Sequence, residues 1–260
     1  MECRVIRADP SGNITLFVLD PVDAGERAAL AERLMKRPGS DIEQVGYACP
    51  AREGADGRLE MSGGEFCGNA TRAFGAFLAK QAGMRGAVHL SVEASGCEGI
   101  VGVDVDLDKG TARAQMPLPK LVRDIDENGV RGTLVHLGGI AHLVTEGVEP
   151  EEAYLTRAEH IFAQYPDLDA YGVIFLNDGR MTPLVKVPAA HSLVWEGSCG
   201  SGTLAAAVAQ SRGAEDGVFV RTYQQPAGAV EATVERRDGA VAAAYIGGTV
   251  RFDEIETIEV

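Results

Sequence analysis

Two cysteines in this chain stand in closely matching local sequences. Cys67 lies in Ser62-Gly63-Gly64-Glu65-Phe66-Cys67-Gly68-Asn69-Ala70-Thr71, and Cys199 in Trp195-Glu196-Gly197-Ser198-Cys199-Gly200-Ser201-Gly202-Thr203. In each, Cys-Gly-(Asn/Ser) leads into an Ala-rich apolar stretch, Ala70 to Lys80 in the first and Thr203 to Gln210 in the second. The pattern predicts a cysteine at the first turn of a buried helix, twice. The thiolate is the reactive form of Cys, and a helix N-terminus favours it. Unpaired N–H groups at a helix start also bind anions, a carboxylate included. Gly68, Asn69, Gly200 and Ser201 are small enough to let a ligand reach that backbone. Each segment therefore offers an acid–base thiol and half of a carboxylate cradle. Placed on opposite faces of one α-carbon, one thiolate would remove a proton and the other thiol would deliver one, inverting the centre. That chemistry calls for no PLP lysine and no metal. Cys3, Cys49 and Cys97 have no such partner and read as small buried hydrophobes.

The elements that must position these cysteines are short. Ile14–Leu19, Val88–Glu93, Ile100–Leu107 and Thr111–Met116 read as strands, the third through its alternating Val103-Asp104-Val105-Asp106. Asp23–Lys36 reads as a helix with Asp23 as N-cap, Leu30, Ala31, Leu34 and Met35 on one face, and a stop at Pro38-Gly39. Pro150–Tyr165 reads as another, with Pro and two Glu at its start. The order strand, strand, helix, strand, strand, cysteine helix, three strands then occurs twice, which predicts a duplication. Met116-Pro117-Leu118-Pro119 is the expected junction, because prolines stop strands on both sides.

Composition narrows the function classes. The chain has 260 residues, long enough for two half-domains of similar size, and a net charge of −14 that argues against nucleic acid and anionic membrane surfaces. No apolar run is long enough for a membrane-spanning helix, and the N-terminal residues have no signal-like apolar core. Five cysteines without a CxxC pair predict neither a zinc site nor a disulfide framework, so a cytoplasmic protein with reduced thiols is expected. There is no P-loop, no GxGxxG after a strand and no HExxH.

The cysteine segments, together with Pro10-Ser11-Gly12-Asn13, Glu43-Gln44-Val45-Gly46 and Gln225-Pro226-Ala227-Gly228, carry a family resemblance along the whole chain. The sequence resembles the PLP-independent two-cysteine amino acid racemases and epimerases of the diaminopimelate epimerase fold. Within that family it is nearest to the histidine racemases of opine-metallophore (staphylopine-type) biosynthesis. The resemblance implies an α/β (α+β) protein of two pseudo-symmetric domains, each a mostly antiparallel, barrel-like sheet around a central helix, with the site between them. Residues 1–116, with 248–260 returning to them, would form the first domain and 117–247 the second. It further implies catalytic Cys67 and Cys199, a supporting His142 after Gly138-Gly139-Ile140-Ala141, and Glu196 as the carboxylate near the second cysteine. Asn13, Glu43 and Gln44 would line the substrate site beside Gly68, Asn69, Gly200 and Ser201. No cofactor is implied; the substrate would be a free amino acid, and a homodimer fits the family.

Two departures bear on substrate. Diaminopimelate epimerases carry an Arg just upstream of the second cysteine and an Asn upstream of the first; here Trp195-Glu196-Gly197-Ser198 precedes Cys199 and neither residue is present. That favours histidine, or another single-headed amino acid, over diaminopimelate. Glu43 is the candidate reader of an imidazole N–H. Glu196, three residues before Cys199, should raise that thiol's pKa and suit it to act as an acid. Arg72 is expected as an exposed or paired charge, His191 on the surface or behind the site, and Trp195 in the core. Gln224, Gln225 and Gly228 mark a turn expected near the site. A thiol redox protein and a non-catalytic ligand-binding protein remain alternatives from other classes.

Overall fold

The computed structural model describes residues 2–52 and 54–259. The chain divides into two compact units, Met1–Gln115 with Gly247–Val260, and Met116–Ile246. Both are α+β, sheet-dominated, and mix parallel with antiparallel pairing; among the described residues there are four α-helices.

The first unit begins with β1 (Glu2–Asp9) antiparallel to β2 (Thr15–Val18), then α1 (Ala24–Met35), β3 (Gln44–Cys49), β4 (Gly57–Met61), α2 (Gly68–Gln81), β5 (Ala87–Ala94), β6 (Ile100–Asp106) and β7 (Thr111–Gln115). Neighbouring strands run antiparallel except where a helix intervenes: β2 pairs parallel with β3 across α1, and β4 parallel with β5 across α2. These are βαβ crossovers, the connection that parallel strands require. Alternation along the strands separates two cores. Cys3, Val5, Leu16 and Val18 pack with Leu30, Ala31 and Leu34 of α1, while Ile6, Ala8 and Phe17 face Phe74 and Phe77 of α2. Asp23 stands at the N-cap of α1, but its side chain makes no capping bond there. Phe17 and Phe74 meet edge to face at 5.6 Å, and α2 is buried over nearly its whole length. A Cβ at Gly75 would approach Val103 Cγ1 to 2.6 Å, so this helix lies hard against β6.

The second unit runs β8 (Leu121–Glu127), β9 (Val130–His136), β10 (Ile140–Glu146), α3 (Glu152–Phe162), β11 (Ala170–Asn177), β12 (Arg180–Val187), β13 (Ser192–Trp195), α4 (Gly200–Gln210), β14 (Gly217–Gln224), β15 (Ala229–Arg237) and β16 (Ala240–Thr249). Again the parallel steps span helices: β10 pairs with β11 across α3, and β12 meets β14 at Arg180 and Gln224 across α4. The apolar face of α3, Tyr154, Leu155, Ala158, Ile161 and Phe162, packs on Leu134, Leu143, Val173 and Phe175. Residues Gly202 to Val208 of α4 are all buried. From Gly247 the chain belongs to the first unit again, where β17 (Arg251–Phe252) and β18 (Glu256–Glu259) pair antiparallel with β1. No helix among the described residues is long and apolar enough to cross a membrane.

Candidate active site

Cys67 is the N-cap of α2. Its backbone is extended (φ −124°, ψ 107°), and its sulfur accepts the Ala70 N–H at 3.4 Å. Its carbonyl receives the Thr71 hydroxyl at 2.8 Å, which fixes the first turn. A sulfur in the cap position faces the N-terminal end of the helix, where the remaining N–H groups have no partner inside the helix. Here Gly68 and Asn69 occupy that turn.

The residues around this sulfur come from the β1–β2 connection and the start of β3. Gln44 Nε2 lies 2.8 Å from Asn13 Oδ1, 2.8 Å from Thr15 Oγ1 and 3.3 Å from Cys67 Sγ. Asn13 Oδ1 is itself 3.8 Å from the sulfur, and its Nδ2 donates to Glu43 Oε2 at 2.9 Å. Asn13, Glu43, Gln44 and Cys67 thus form one connected group. Burial pushes the Cys67 thiol up; the Ala70 N–H and the Gln44 amide pull it down, and Glu65 pushes it up. The Glu43 carboxyl, on an exposed residue, is also pushed up: partial desolvation outweighs the Asn13 hydrogen bond, and the Asp41 and Asp9 charges add to it.

Cys199 holds the same position on α4. Its backbone is extended (φ −113°, ψ 111°), its sulfur accepts the Gly202 N–H at 3.3 Å, and its carbonyl receives the Thr203 hydroxyl at 2.6 Å. The surroundings differ. The Cys199 side chain is hydrogen-bonded to Glu196, and burial together with that carboxylate pushes the thiol well above the ordinary range. A protonated thiol donating to a carboxylate is the state this favours. Ser201 Oγ lies 3.6 Å from the sulfur and 2.8 Å from Nε2 of His142, a ring with 0% exposure. Burial alone pulls His142 down to about 3, so the ring is neutral at physiological pH.

Gln225, expected only as part of a nearby turn, has a direct role. It is buried, its Oε1 accepts the Cys199 N–H at 2.7 Å, and its Nε2 donates to Thr203 Oγ1 at 2.8 Å. Thr71 and Thr203, each four residues after a cysteine, were visible in both motifs, and that spacing was the signal for their carbonyl contacts.

Two expectations need correction. Arg72 is not exposed and, among the described residues, not ion-paired: it is 0% exposed and bonded to neutral oxygens. Trp195 is not core; it is 41% exposed on β13, with Nε1 3.3 Å from Glu152 Oε1. The Asn69 side chain turns inward, its Oδ1 accepting from Arg72 Nε at 3.1 Å. His191 is exposed, in left-handed backbone at φ 49°. Among the described residues, no three His, Cys, Asp or Glu side chains are grouped to hold a metal.

Residues 2–253 match the family model described as the histidine racemase CntK N-terminal domain. The chain belongs to this CntK histidine racemase family. A histidine racemase of Staphylococcus aureus (strain Mu50) is 30% identical over 239 residues, 88% of this chain and 87% of the relative. One of Fusobacterium nucleatum subsp. nucleatum (strain ATCC 23726) is 31% identical over 212 residues, 77% and 78% of the two chains. Family membership makes the protein an isomerase, an amino acid racemase. Solved structures share the fold at low identity. A probable proline racemase from Agrobacterium radiobacter K84 superposes with a TM-score of 0.70 at 14% identity, covering 99% of this chain and 93% of that one. A PhzF-family protein of Bacillus anthracis gives 0.69 at 14% identity, covering 100% of both. The fold comparison thus rests on proline racemase and PhzF-type structures rather than on a diaminopimelate epimerase.

Proposed function

We propose that this racemase interconverts L- and D-histidine by a two-base thiol route in which Cys67 and Cys199 are the acid–base pair. One observation carries the reading. Both sulfurs cap buried helices in the same way, yet Cys67 is met by amide donors and Cys199 by a carboxylate. The first environment is the more tolerant of a thiolate, and the second keeps a proton on sulfur. In the forward step the Cys67 thiolate takes the α-proton and becomes a thiol. The electron pair left on carbon delocalises into the substrate carboxylate, which N–H groups of a helix first turn would stabilise. The Cys199 thiol then gives its proton to the opposite face and becomes the thiolate. The reverse direction exchanges the two roles.

His142 supports Cys199 through Ser201, and Glu196 holds its proton. Asn13, Glu43 and Gln44 hold the substrate on the Cys67 side, with Glu43 accepting an imidazole N–H. We read the two units as pseudo-symmetric copies of one half-domain, residues 1–116 with 248–260 and 117–247, each supplying one thiol. Both units place a helix between parallel strands and follow the cysteine helix with three strands, although the second unit adds β8 and β13; that pattern and the matching cap bonds at the two cysteines support the reading. Histidine is favoured by the relatives' names and by the missing Arg upstream of Cys199. The product would serve metallophore biosynthesis in the cytoplasm, where thiols stay reduced.

The test is solvent exchange. Incubated with L-histidine in D2O, the protein should exchange the Cα proton, followed by NMR, while D-histidine accumulates. Cys67→Ser and Cys199→Ser should each abolish racemisation. Full activity in either variant overturns the two-thiol route. Faster exchange with L,L-diaminopimelate or another amino acid overturns histidine alone.

A further inference from the structure

Among the described residues, no carboxylate forms an ion pair with the buried Arg72. It lies on α2, five residues past Cys67, and is completely enclosed. Burying a guanidinium is costly unless its donors are matched and its charge is answered. The donors are matched. Nε reaches Asn69 Oδ1 at 3.1 Å, Nη1 the carbonyls of Gly248 and Thr249 at 3.1 Å each, and Nη2 the Pro10 carbonyl at 2.9 Å and Ser11 Oγ at 3.1 Å. None of these acceptors carries a charge. Burial pulls the guanidinium down to about 10, and the groups that push back are Cys67 first and Asp9 second.

The same side chain organises the segment that reaches Cys67. Ser11 sits in left-handed backbone at φ 62°, an unfavourable conformation for a non-glycine residue, and its hydroxyl contacts both Arg72 and the Thr249 carbonyl. Two residues later comes Asn13, which touches Gln44 and the Cys67 sulfur.

We propose that Arg72 is the positioning residue of the Cys67 half of the site: its fork locks the Pro10–Ser11 turn that presents Asn13, and its buried positive charge is the counter-ion for Cys67 each time that thiol ionises. The inference rests on the reading that Cys67 cycles between thiol and thiolate. The other groups facing Cys67 are the Gln44 amide and the Ala70 and Asn69 N–H groups, which favour the thiolate, and Glu65, which opposes it. Glu43 stands one hydrogen bond away through Asn13, and Asp9 acts on Arg72. With Arg72 neutralised, no cation remains among them.

The experiment follows Cys67 alkylation by iodoacetamide against pH in the full chain, read by peptide mass spectrometry, beside histidine racemisation. Arg72→Gln should move the Cys67 profile upward by about one pH unit or more and lower kcat more than it raises KM. Arg72→Lys keeps the charge but breaks the fork, and should restore most of the profile. A purely structural brace predicts the opposite, with Lys failing as badly as Gln, and that result overturns the charge role. An unmoved profile in folded Arg72→Gln overturns it as well. If Arg72→Gln does not fold, the wild-type protein still decides. The Arg72 Nε–H resonance should shift as Cys67 titrates and stay flat in Cys67→Ser; a flat trace in both overturns the proposal. Racemisation that survives Cys67→Ser overturns the two-thiol reading instead, and the alkylation profile still tests the coupling.

Discussion

His142 and Ser201 are linked behind the second cysteine: Nε2 and Oγ are 2.8 Å apart, and the same hydroxyl is 3.6 Å from Cys199 Sγ. The imidazole thus reaches the thiol through a hydroxyl. Its other nitrogen, Nδ1, has no hydrogen-bond partner among the described residues. A neutral ring joined to a hydroxyl can orient that hydroxyl as donor or acceptor as the sulfur changes state.

Removing the hydroxyl tests the link. Ser201→Ala leaves a buried imidazole nitrogen unpaired, which should cost about 1–3 kcal/mol of stability. Racemisation should fall about tenfold or more, mostly in kcat, as expected for loss of acid–base support. Denaturant unfolding and a kcat/KM measurement check the two parts. Unchanged kcat would show that the contact is structural.

Glu196 gives a pH prediction with a definite sign. Burial and the adjacent carboxylate both raise the Cys199 pKa. Glu196→Gln removes the charge and leaves the burial, so the thiol pKa should fall. At pH 8 iodoacetamide should then modify Cys199 faster than in the wild type, while Cys67 reacts at its usual rate. The racemisation rate should drop, because the acid is no longer held protonated. Slower modification of Cys199 would reverse the assignment of Glu196.

What the sequence revealed follows the range of the interactions. The cysteine caps were legible because a helix start is a local event: Cys-Gly-(Asn/Ser) and the Ala-rich run after it lie within one or two turns. Glu196 was legible for the same reason, three residues from its thiol. Arg72 was not, because its burial depends on the carbonyl of Gly248, 176 residues away, and on the strained turn at Ser11. Trp195 misled because a lone tryptophan suggests core, whereas β13 leaves it and its neighbours Leu193 and Val194 open to solvent. The Asn13–Gln44–Cys67 contacts join three separate segments, and only family resemblance pointed to them.

His142 also sets an acid limit on stability. Its ordinary pKa is 6.5 and its folded value about 3, so between those values the unfolded chain binds a proton that the folded chain does not. The stabilisation is fully present above about pH 6.5 and is lost as pH falls toward 3, at about 1.4 kcal/mol per pH unit. From pH 7.5 to 5 the loss should come to about 2 kcal/mol. His142→Gln cannot take up the proton and should lose less over that interval. Denaturation curves at the two pH values, for wild type and variant, isolate the difference from the carboxylates common to both. Parallel losses would mean that the ring is not held neutral.

Gly202 is where the second thiol leaves no room. A Cβ there would fall 2.5 Å from Ile174 Cδ1 and 3.0 Å from Cys199 Sγ, and Gly202 also provides the N–H that the sulfur accepts at 3.3 Å. Its backbone is ordinary helix, so the penalty of Gly202→Ala is steric rather than conformational. The isoleucine end can rotate away; the sulfur, held by the cap, can yield only by leaving the helix axis. Overpacking of this kind costs about 1–3 kcal/mol. Displacing the sulfur from its cap should cost activity out of proportion to stability, because misplacement by about an ångström is enough to lose about a hundredfold in rate. Gly202→Ala is therefore expected to fold, to unfold at lower denaturant, and to lose about a hundredfold in kcat with KM for histidine little changed. A variant that lost stability but kept its kcat would show that the position of Cys199 in the cap is not what sets the rate.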